Sequence, residues 1–303
     1  MTGLRRLTRT EHAPKVGIVH LGPGAFFRAF LAPYTQDAMG LAAGDWGILA
    51  VSLRSTAIRD SMRPQGCIYQ SVTLEAGQMV PQMIEAVADV WVAPENPGDV
   101  VQAMADPNVR IVSLTITEKG YCYSAETGGL NLEHPDIKHD RAKLESPVSA
   151  IGFIVAALQA RKASGTGAFT VLPCYNMPSN GVLVRRLVLE FAGEIDPELA
   201  GWIDTHVAFP STMVDRITPA TTDAELATLE RLTGVEDRAA VFHERYRQWV
   251  IEDHFAAGRP AWEEAGVQIV PSVEAHEMMK LRCLNGTHSM LAYLGYLAGY
   301  ETI

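Results

Sequence analysis

Apolar residues in the first half of the chain gather into short, nearly continuous runs. KVGIVHL (Lys15–Leu21), WGILAVSL (Trp46–Leu53), CIYQSVTL (Cys67–Leu74), VRIVSLTI (Val109–Ile116) and AFTVLPC (Ala168–Cys174) each have strand length and strand residues. Their continuity, rather than alternation, suits strands covered on both faces. The stretch after Leu21, GPGAFFRA, opens a helix reaching to about Met39, and SAIGFIVAALQARK carries the periodicity of a second helix before the Ala168 strand. Strands alternating with helices predict right-handed βαβ units and a parallel sheet, an α/β fold. From Asn180 to about Leu232 the pattern is mostly helical, interrupted at FPSTMVDRITPATT; WVIEDHF and VQIV read as late short strands. Helical patterning returns at Glu274. The turn near Pro271 divides the chain into 1–271 and 272–303.

Composition narrows the class. The 303 residues are 48% hydrophobic and 20% charged, with a net charge of −10, ordinary for a globular chain with a real core. No basic stripe is visible, so a nucleic-acid partner is not expected. The four cysteines, Cys67, Cys122, Cys174 and Cys283, have no paired spacing, which fits a reducing cytoplasm rather than a disulfide framework or zinc site. The opening MTGLRRLTRTEHAPK lacks the apolar run of a secretory signal. No run approaches the roughly 18 apolar residues of a membrane span, so no membrane partner is expected.

Several polar residues stand where this pattern does not need them. Gly22-Pro23-Gly24 closes a strand and opens a helix, where a pyrophosphate can approach backbone N–H groups. An ordinary βα turn has the same appearance, and Phe27 occupies the place of the third glycine of the dinucleotide fingerprint. The ribose-binding acid usual at the end of a second strand is also missing. Ser52, Leu53 and Arg54 stand there, and Arg54 is either a contact for a 2′-phosphate or a solvated surface residue. Asn176, in CYNMPSNG, lies at the carboxyl end of a buried strand. It reads either as an N–H donor to a developing alkoxide or as a turn residue. Glu118 and Lys119, in TITEKGY, lie at the same edge; Asp215 and Arg216 lie in FPSTMVDRITP. Both pairs also read as ordinary ion pairs.

The segment KLRCLNGTHS is the most unusual. At about 100° per residue, Lys280, Asn285 and His288 fall within an arc of roughly 140°, so all three can enter one cleft. Glu277 sits one turn before Lys280. A partly desolvated lysine has a lowered pKa and can accept a proton; the bland alternative is a snorkelling lysine, a capping asparagine and a core histidine. His134 and His139, in EHPDIKHD, lack the helical spacing of metal ligands, and no metal is expected.

Taken together, IVHLGPGAFFRA, TITEKGY, FPSTMVDRITP, QWVIEDHFAAGRPAWEEAGVQ and MKLRCLNGTHSMLAYLGYLAGYE resemble the mannitol dehydrogenase family, long-chain polyol dehydrogenases that need no metal. The resemblance implies a Rossmann-like domain over 1–271, the beginning of an all-helical substrate domain over 272–303, and NAD as cofactor. TITEKGYC, PDIKHD, SAIGFIVAALQARK and GYETI point within the family to the branch that interconverts the sugar acids D-mannonate and D-fructuronate. A mannitol or altronate dehydrogenase, or a non-catalytic nucleotide-binding remnant, are the alternatives. By resemblance Lys280 is the catalytic lysine, Asn176 and Asn285 hold the reacting oxygen, and His288 binds substrate. Glu118 and Glu277 match acids near the proton path, Asp215 an acid without an assigned role. Gly22, Gly24, Phe26, Arg28 and Arg54 are the candidate cofactor contacts. Two features depart from the family: Phe27 and Phe30 stand where histidine is usual, and Tyr175 replaces an aspartate, removing a fixed negative charge. Family members continue into helices that close the cleft, so Leu291, Tyr293, Leu294, Tyr296 and Leu297 are expected to be exposed here and to favour self-association.

Overall fold

The structure, a computed structural model, describes residues 5–75 and 77–300. Its main strands are β1 (Val16–Leu21), β2 (Gly47–Ser52), β3 (Tyr69–Glu75), β4 (Gln78–Ile84), β5 (Val87–Val92), β6 (Ile111–Leu114), β7 (Thr170–Pro173), β8 (Thr212–Asp215), β9 (Val241–Glu244), β10 (Gln248–Glu252) and β11 (Gln268–Val270). Five of them form a parallel sheet in the order β7-β6-β1-β2-β5. The chain winds outward from β1 in one direction through β2 and β5, then crosses back to β6 and β7. The crossovers carry helices, as parallel neighbours require.

The continuous apolar runs have a direct cause. Side chains alternate between faces along a strand, and both faces of this sheet are covered. Val19, Leu49 and Val112 face the helices Pro97–Ala105, Ala150–Ser164 and Asn180–Ile195. Ile18, Ile48 and Ile111 face the other way, toward the helix Leu31–Leu41 and Trp249.

The helix Ala150–Ser164 shows how the covering layer is fixed. Ser149 Oγ accepts the Gly152 N–H at 2.9 Å, and buried Asp140 accepts the Val148 and Ser149 N–H groups at 2.8 and 2.9 Å. Gly152 lies so close to that carboxylate that a Cβ there would stand 2.0 Å from Asp140 Oδ2. At the other end Gly165, at φ 71°, ends the helix in the left-handed region. Buried Arg161 donates to the carbonyls of Met104, Asp106 and Gly167, tying this helix to its neighbour; burial brings its pKa down to about 10.

Three predicted elements differ in the structure. The Cys67 run is a strand, but it leaves the central sheet: β3 pairs antiparallel with β4 and parallel with β9. The place beside β2 is taken by β5, VADVWV, which the sequence pattern did not single out. The antiparallel partner of β3, β4 (QMVPQMI), is exposed along most of its length, and Pro81 is tolerated because β4 is an edge. Within FPSTMVDRITPATT lies β8, fully buried and antiparallel to β10. The C-terminal segment is helical from Glu274 to Leu297, but Lys280–Asn285 is a π-helical turn between two α-helical stretches.

Candidate active site

The carboxyl ends of β1 and β6 part where the crossovers run in opposite directions, the place where open α/β sheets bind ligands. Gly22 lies against β2, donating to Val51 O at 2.9 Å; its φ is +92°, and a Cβ would stand 3.0 Å from Ile116 Cγ2. Gly24, by contrast, is exposed, and a Cβ built there would meet nothing nearer than Gly22 O at 4.0 Å. A ligand can therefore come close to bare backbone at this turn. Beneath it lies His20, which the sequence reading passed over as one residue of a buried strand. Its Nδ1 is 2.8 Å from Ser113 Oγ, its Nε2 2.9 Å from Thr115 Oγ1, and its ring stacks on Phe27 with centroids 3.9 Å apart. Burial pushes its pKa down to about 3, so the imidazole is neutral. Thr115 donates its hydroxyl to Gly22 O at 2.6 Å, which assigns the His20 proton to Nε2 and fixes the turn from below.

The second half of the site is assembled by a side chain that sequence reasoning also missed. Asn180, buried at the start of its helix, donates Nδ2–H to Tyr175 O and Thr212 O, both at 2.9 Å, and accepts the Thr212 N–H at 2.9 Å. Thr212 in turn donates its hydroxyl to Pro173 O at 2.6 Å. The close approach depends on Gly181, where a Cβ would stand 2.4 Å from Phe209 O. This clamp sets the CYNMPSNG loop beside β8. The only signal in the sequence was the Asn-Gly pair after a buried strand, which reads as a turn.

Across the clamp lies Lys280. Its Nζ donates to Val214 O at 2.7 Å and to Asn176 Oδ1 at 3.0 Å, and it stands 3.9 Å from Asp215 Oδ1. The side chain is 9% exposed, and burial lowers its pKa below the usual lysine range, with Asp215 and then Glu277 acting in the opposite sense. Burial likewise raises the pKa of Asp215, with Lys280 opposing. Asp215 Oδ2 is buried with no partner among the described residues. Glu277 accepts the Ser179 N–H at 3.1 Å, and burial raises its pKa. Because Asn176 offers its oxygen to the lysine, its Nδ2 donors are left for the cleft.

Gly24, Phe26, Asn176, Asp215, Lys280, Asn285 and His288 line one cleft of about 500 Å³, with Thr115, Thr117 and Arg216 between them. The π turn contributes to this convergence: its wide i→i+5 repeat brings residues five apart nearer to one line than an α-helix does. Behind the lysine, Asn176, Glu277 and Lys280 border a second cavity of about 40 Å³, room for a water.

Three predicted residues do not line this cleft. Arg28 is a correction: it is buried, its guanidinium donates to Ala239 O, and it cannot reach a cofactor at the turn. Glu118 is exposed in the short turn Glu118–Tyr121, outside the residues that line the cleft. Arg54 is exposed at the end of β2, its Nη2 2.7 Å from Asp136 Oδ2. Asp136 also lies near Cys122 and His134, with the donor atoms of all three within 4.8 Å of one another, a grouping the sequence did not suggest. All three are already engaged: Cys122 Sγ lies 3.5 Å from His134 Nδ1, that nitrogen also accepts the Asp136 N–H at 3.2 Å, and Asp136 holds Arg54. Among the described residues no helix is long and apolar enough to cross a membrane.

Comparison with known proteins agrees with this architecture. Residues 16–264 match the mannitol dehydrogenase Rossmann domain and residues 272–303 the mannitol dehydrogenase C-terminal domain. The uncharacterized oxidoreductase YdfI of Escherichia coli is 48% identical over 289 residues, covering 94% of this chain and 59% of that protein. The D-mannonate oxidoreductase of Escherichia coli is 46% identical over 291 residues, covering 94% of this chain and 60% of that protein. The structure of Pseudomonas fluorescens mannitol 2-dehydrogenase in ternary complex with NAD and D-mannitol aligns with a TM-score of 0.89 at 41% identity, covering 99% of this chain and 62% of that one. This chain thus spans about three fifths of the length of these relatives. It belongs to the mannitol dehydrogenase family, as an α/β chain with a Rossmann-type parallel sheet followed by a helical segment.

Proposed function

We propose that the chain carries the lysine-centred site of an NAD-dependent oxidoreductase that interconverts D-mannonate and D-fructuronate. The observation that carries this reading is Lys280 Nζ, buried between Asn176 Oδ1 and Val214 O at the rim of the cleft that begins at Gly24. The bare backbone at Gly24 fits a dinucleotide, with Gly22, Gly24 and Phe26 as its contacts. NAD, when bound, accepts the hydride that leaves the carbinol carbon. In oxidation Lys280, neutral, takes the hydroxyl proton. Burial favours that neutral form, and Asp215 limits how far the pKa falls. Asn176 and Asn285 donate hydrogen bonds to the oxygen as negative charge builds on it. His288 binds a neighbouring hydroxyl. The proton leaves Lys280 through the small cavity toward Glu277. In reduction the same lysine, protonated, is the acid.

The sugar acid rather than a neutral polyol is favoured by the sequence segments shared with the mannonate branch and by the 46% identity to a D-mannonate oxidoreductase. Arg216, lining the cleft beside Asp215, is a cation within reach of a substrate carboxylate, although it already donates to Ala29 O and Glu244 O. The test is NADH oxidation with D-fructuronate, D-tagaturonate and D-fructose in parallel. Highest kcat/KM with D-fructuronate supports the reading; highest kcat/KM with D-fructose makes the chain a mannitol dehydrogenase.

A further inference from the structure

The end of β2 is where a Rossmann sheet distinguishes its cofactors: an acid there holds the adenosine ribose hydroxyls, whereas an arginine accommodates a 2′-phosphate. The segment Ser52-Leu53-Arg54 offers only the arginine. By sequence that arginine is either a contact for a 2′-phosphate or a solvated surface residue. The structure changes that reading, because it brings an acid to the same place from a distant part of the chain. Asp136 lies on the crossover between β6 and β7, in the first turn of the helix Pro135–Ala142, and its Oδ2 meets Arg54 Nη2 at 2.7 Å.

We propose that Asp136 replaces the acid missing from the end of β2 and makes the site select a nicotinamide dinucleotide with a free 2′-hydroxyl over one bearing a 2′-phosphate. This rests on the cofactor reading given above. The two members of the pair are unequally held. The Asp136 side chain is 21% exposed and its backbone is tied to His134 Nδ1, whereas the Arg54 side chain is 78% exposed. The carboxylate is therefore the fixed charge and the guanidinium the mobile one. The loop is set for this: Ser52 Oγ donates to Ser55 O at 2.6 Å, closing a turn around Arg54, and Gly22 donates to Val51 O at 2.9 Å, placing the turn of the cleft beside it. A 2′-phosphate would draw Arg54 off Asp136 and stand close to an uncompensated carboxylate of like charge. A ribose hydroxyl, by contrast, is a donor to the same carboxylate and leaves the ion pair in place.

The experiment is a fluorescence titration of NADH and NADPH against the wild-type chain and Asp136→Asn, Arg54→Ala and the double variant, each checked by circular dichroism. Wild type should bind NADH at least tenfold more tightly than NADPH. Asp136→Asn, which keeps the side-chain shape, should tighten NADPH at least tenfold. That gain should vanish when Arg54→Ala is added, because the freed arginine is what receives the phosphate. Arg54→Ala alone should leave the preference for NADH. An Asp136→Asn variant that is folded, binds NADH and keeps the wild-type ratio within twofold overturns the proposal, as does a wild-type preference for NADPH. A wild-type chain that binds neither dinucleotide overturns the cofactor reading itself, and this inference with it.

Discussion

The central sheet and the C-terminal helix treat apolar residues in opposite ways. Along β1 and β6, Ile18, Val19, Ile111 and Val112 are wholly buried, and Phe153 above them is 1% exposed. Along Gly286–Leu297 no residue is buried; Tyr293 is 75%, Tyr296 81% and Leu297 81% exposed. Lys280 lies on the seam, its own side chain anchored in the sheet half by Val214 O and Asn176, while half-buried Asn285 ends the π turn and His288 belongs to the exposed half. On the proposed mechanism the buried half places the proton acceptor, and the exposed helix carries groups that line the same cleft.

The largest effect should come from cutting the seam. Lys280→Ala should lower turnover by about 10²–10⁴-fold, the usual contribution of a positioned general acid–base. NADH binding should persist, since the turn at Gly24 does not depend on the lysine. Near-normal turnover in stopped-flow assays of this variant would remove the mechanism.

In the buried half, Phe153→Ala should cost about 3–5 kcal/mol, because the helices on both sides cannot close over the cavity it leaves. Urea denaturation would measure it. A loss below 1 kcal/mol would mean that this layer is far more pliant than its packing indicates.

Asp215 tests how the two halves share charge. Burial lowers the Lys280 pKa and Asp215 raises it. In the proposed mechanism oxidation needs neutral lysine, so its rate should rise with pH through a value below the ordinary lysine range. Asp215→Asn removes the raising influence, and the rising limb should move to lower pH; the falling limb of the reduction profile should move the same way. A limb that stays in place or moves upward contradicts the assignment of that limb to Lys280.

How much of this was legible in the sequence follows from the range over which each signal acts. The parallel sheet could be read because burial on both faces leaves an unbroken apolar run, as in Val109–Ile116. The convergence of Lys280, Asn285 and His288 could be read because helical spacing is local; the π turn only tightened it. The departure of β3 from the sheet could not be read, since CIYQSVTL is equally apolar in either sheet and its partners are set by long-range pairing. The roles of Asn180 and His20 were hidden for the same reason: what defines them is the carbonyls and hydroxyls around them, which come from Thr212, Tyr175, Ser113 and Thr115. Arg28 was misplaced because a helix begun at a ligand-binding turn still has an inward face, and Arg28 is on it.

The smallest effect on stability, though visible in solution, should come from the exposed helix. Met290, Leu294 and Leu297 lie at i, i+4 and i+7, a single apolar face, at 53%, 57% and 81% exposure. Each large side chain left in water forgoes about 1.5–3 kcal/mol of burial, against a total stability of about 5–15 kcal/mol, so a contact that covers this face has much to gain. The 303-residue chain should therefore self-associate in a concentration-dependent way in size-exclusion chromatography. Leu297→Lys should shift elution toward the monomer. It should change the unfolding free energy, measured at a dilution where wild type is monomeric, by no more than about 0.5 kcal/mol, because the side chain is 81% exposed and has little burial to lose. The contrast with Phe153→Ala is the sharpest form of the comparison: the same class of side chain, one holding the domain together and the other waiting for a surface. A wild-type chain that elutes as a monomer at every concentration would show that water alone covers this face, and the proposed self-association would be withdrawn.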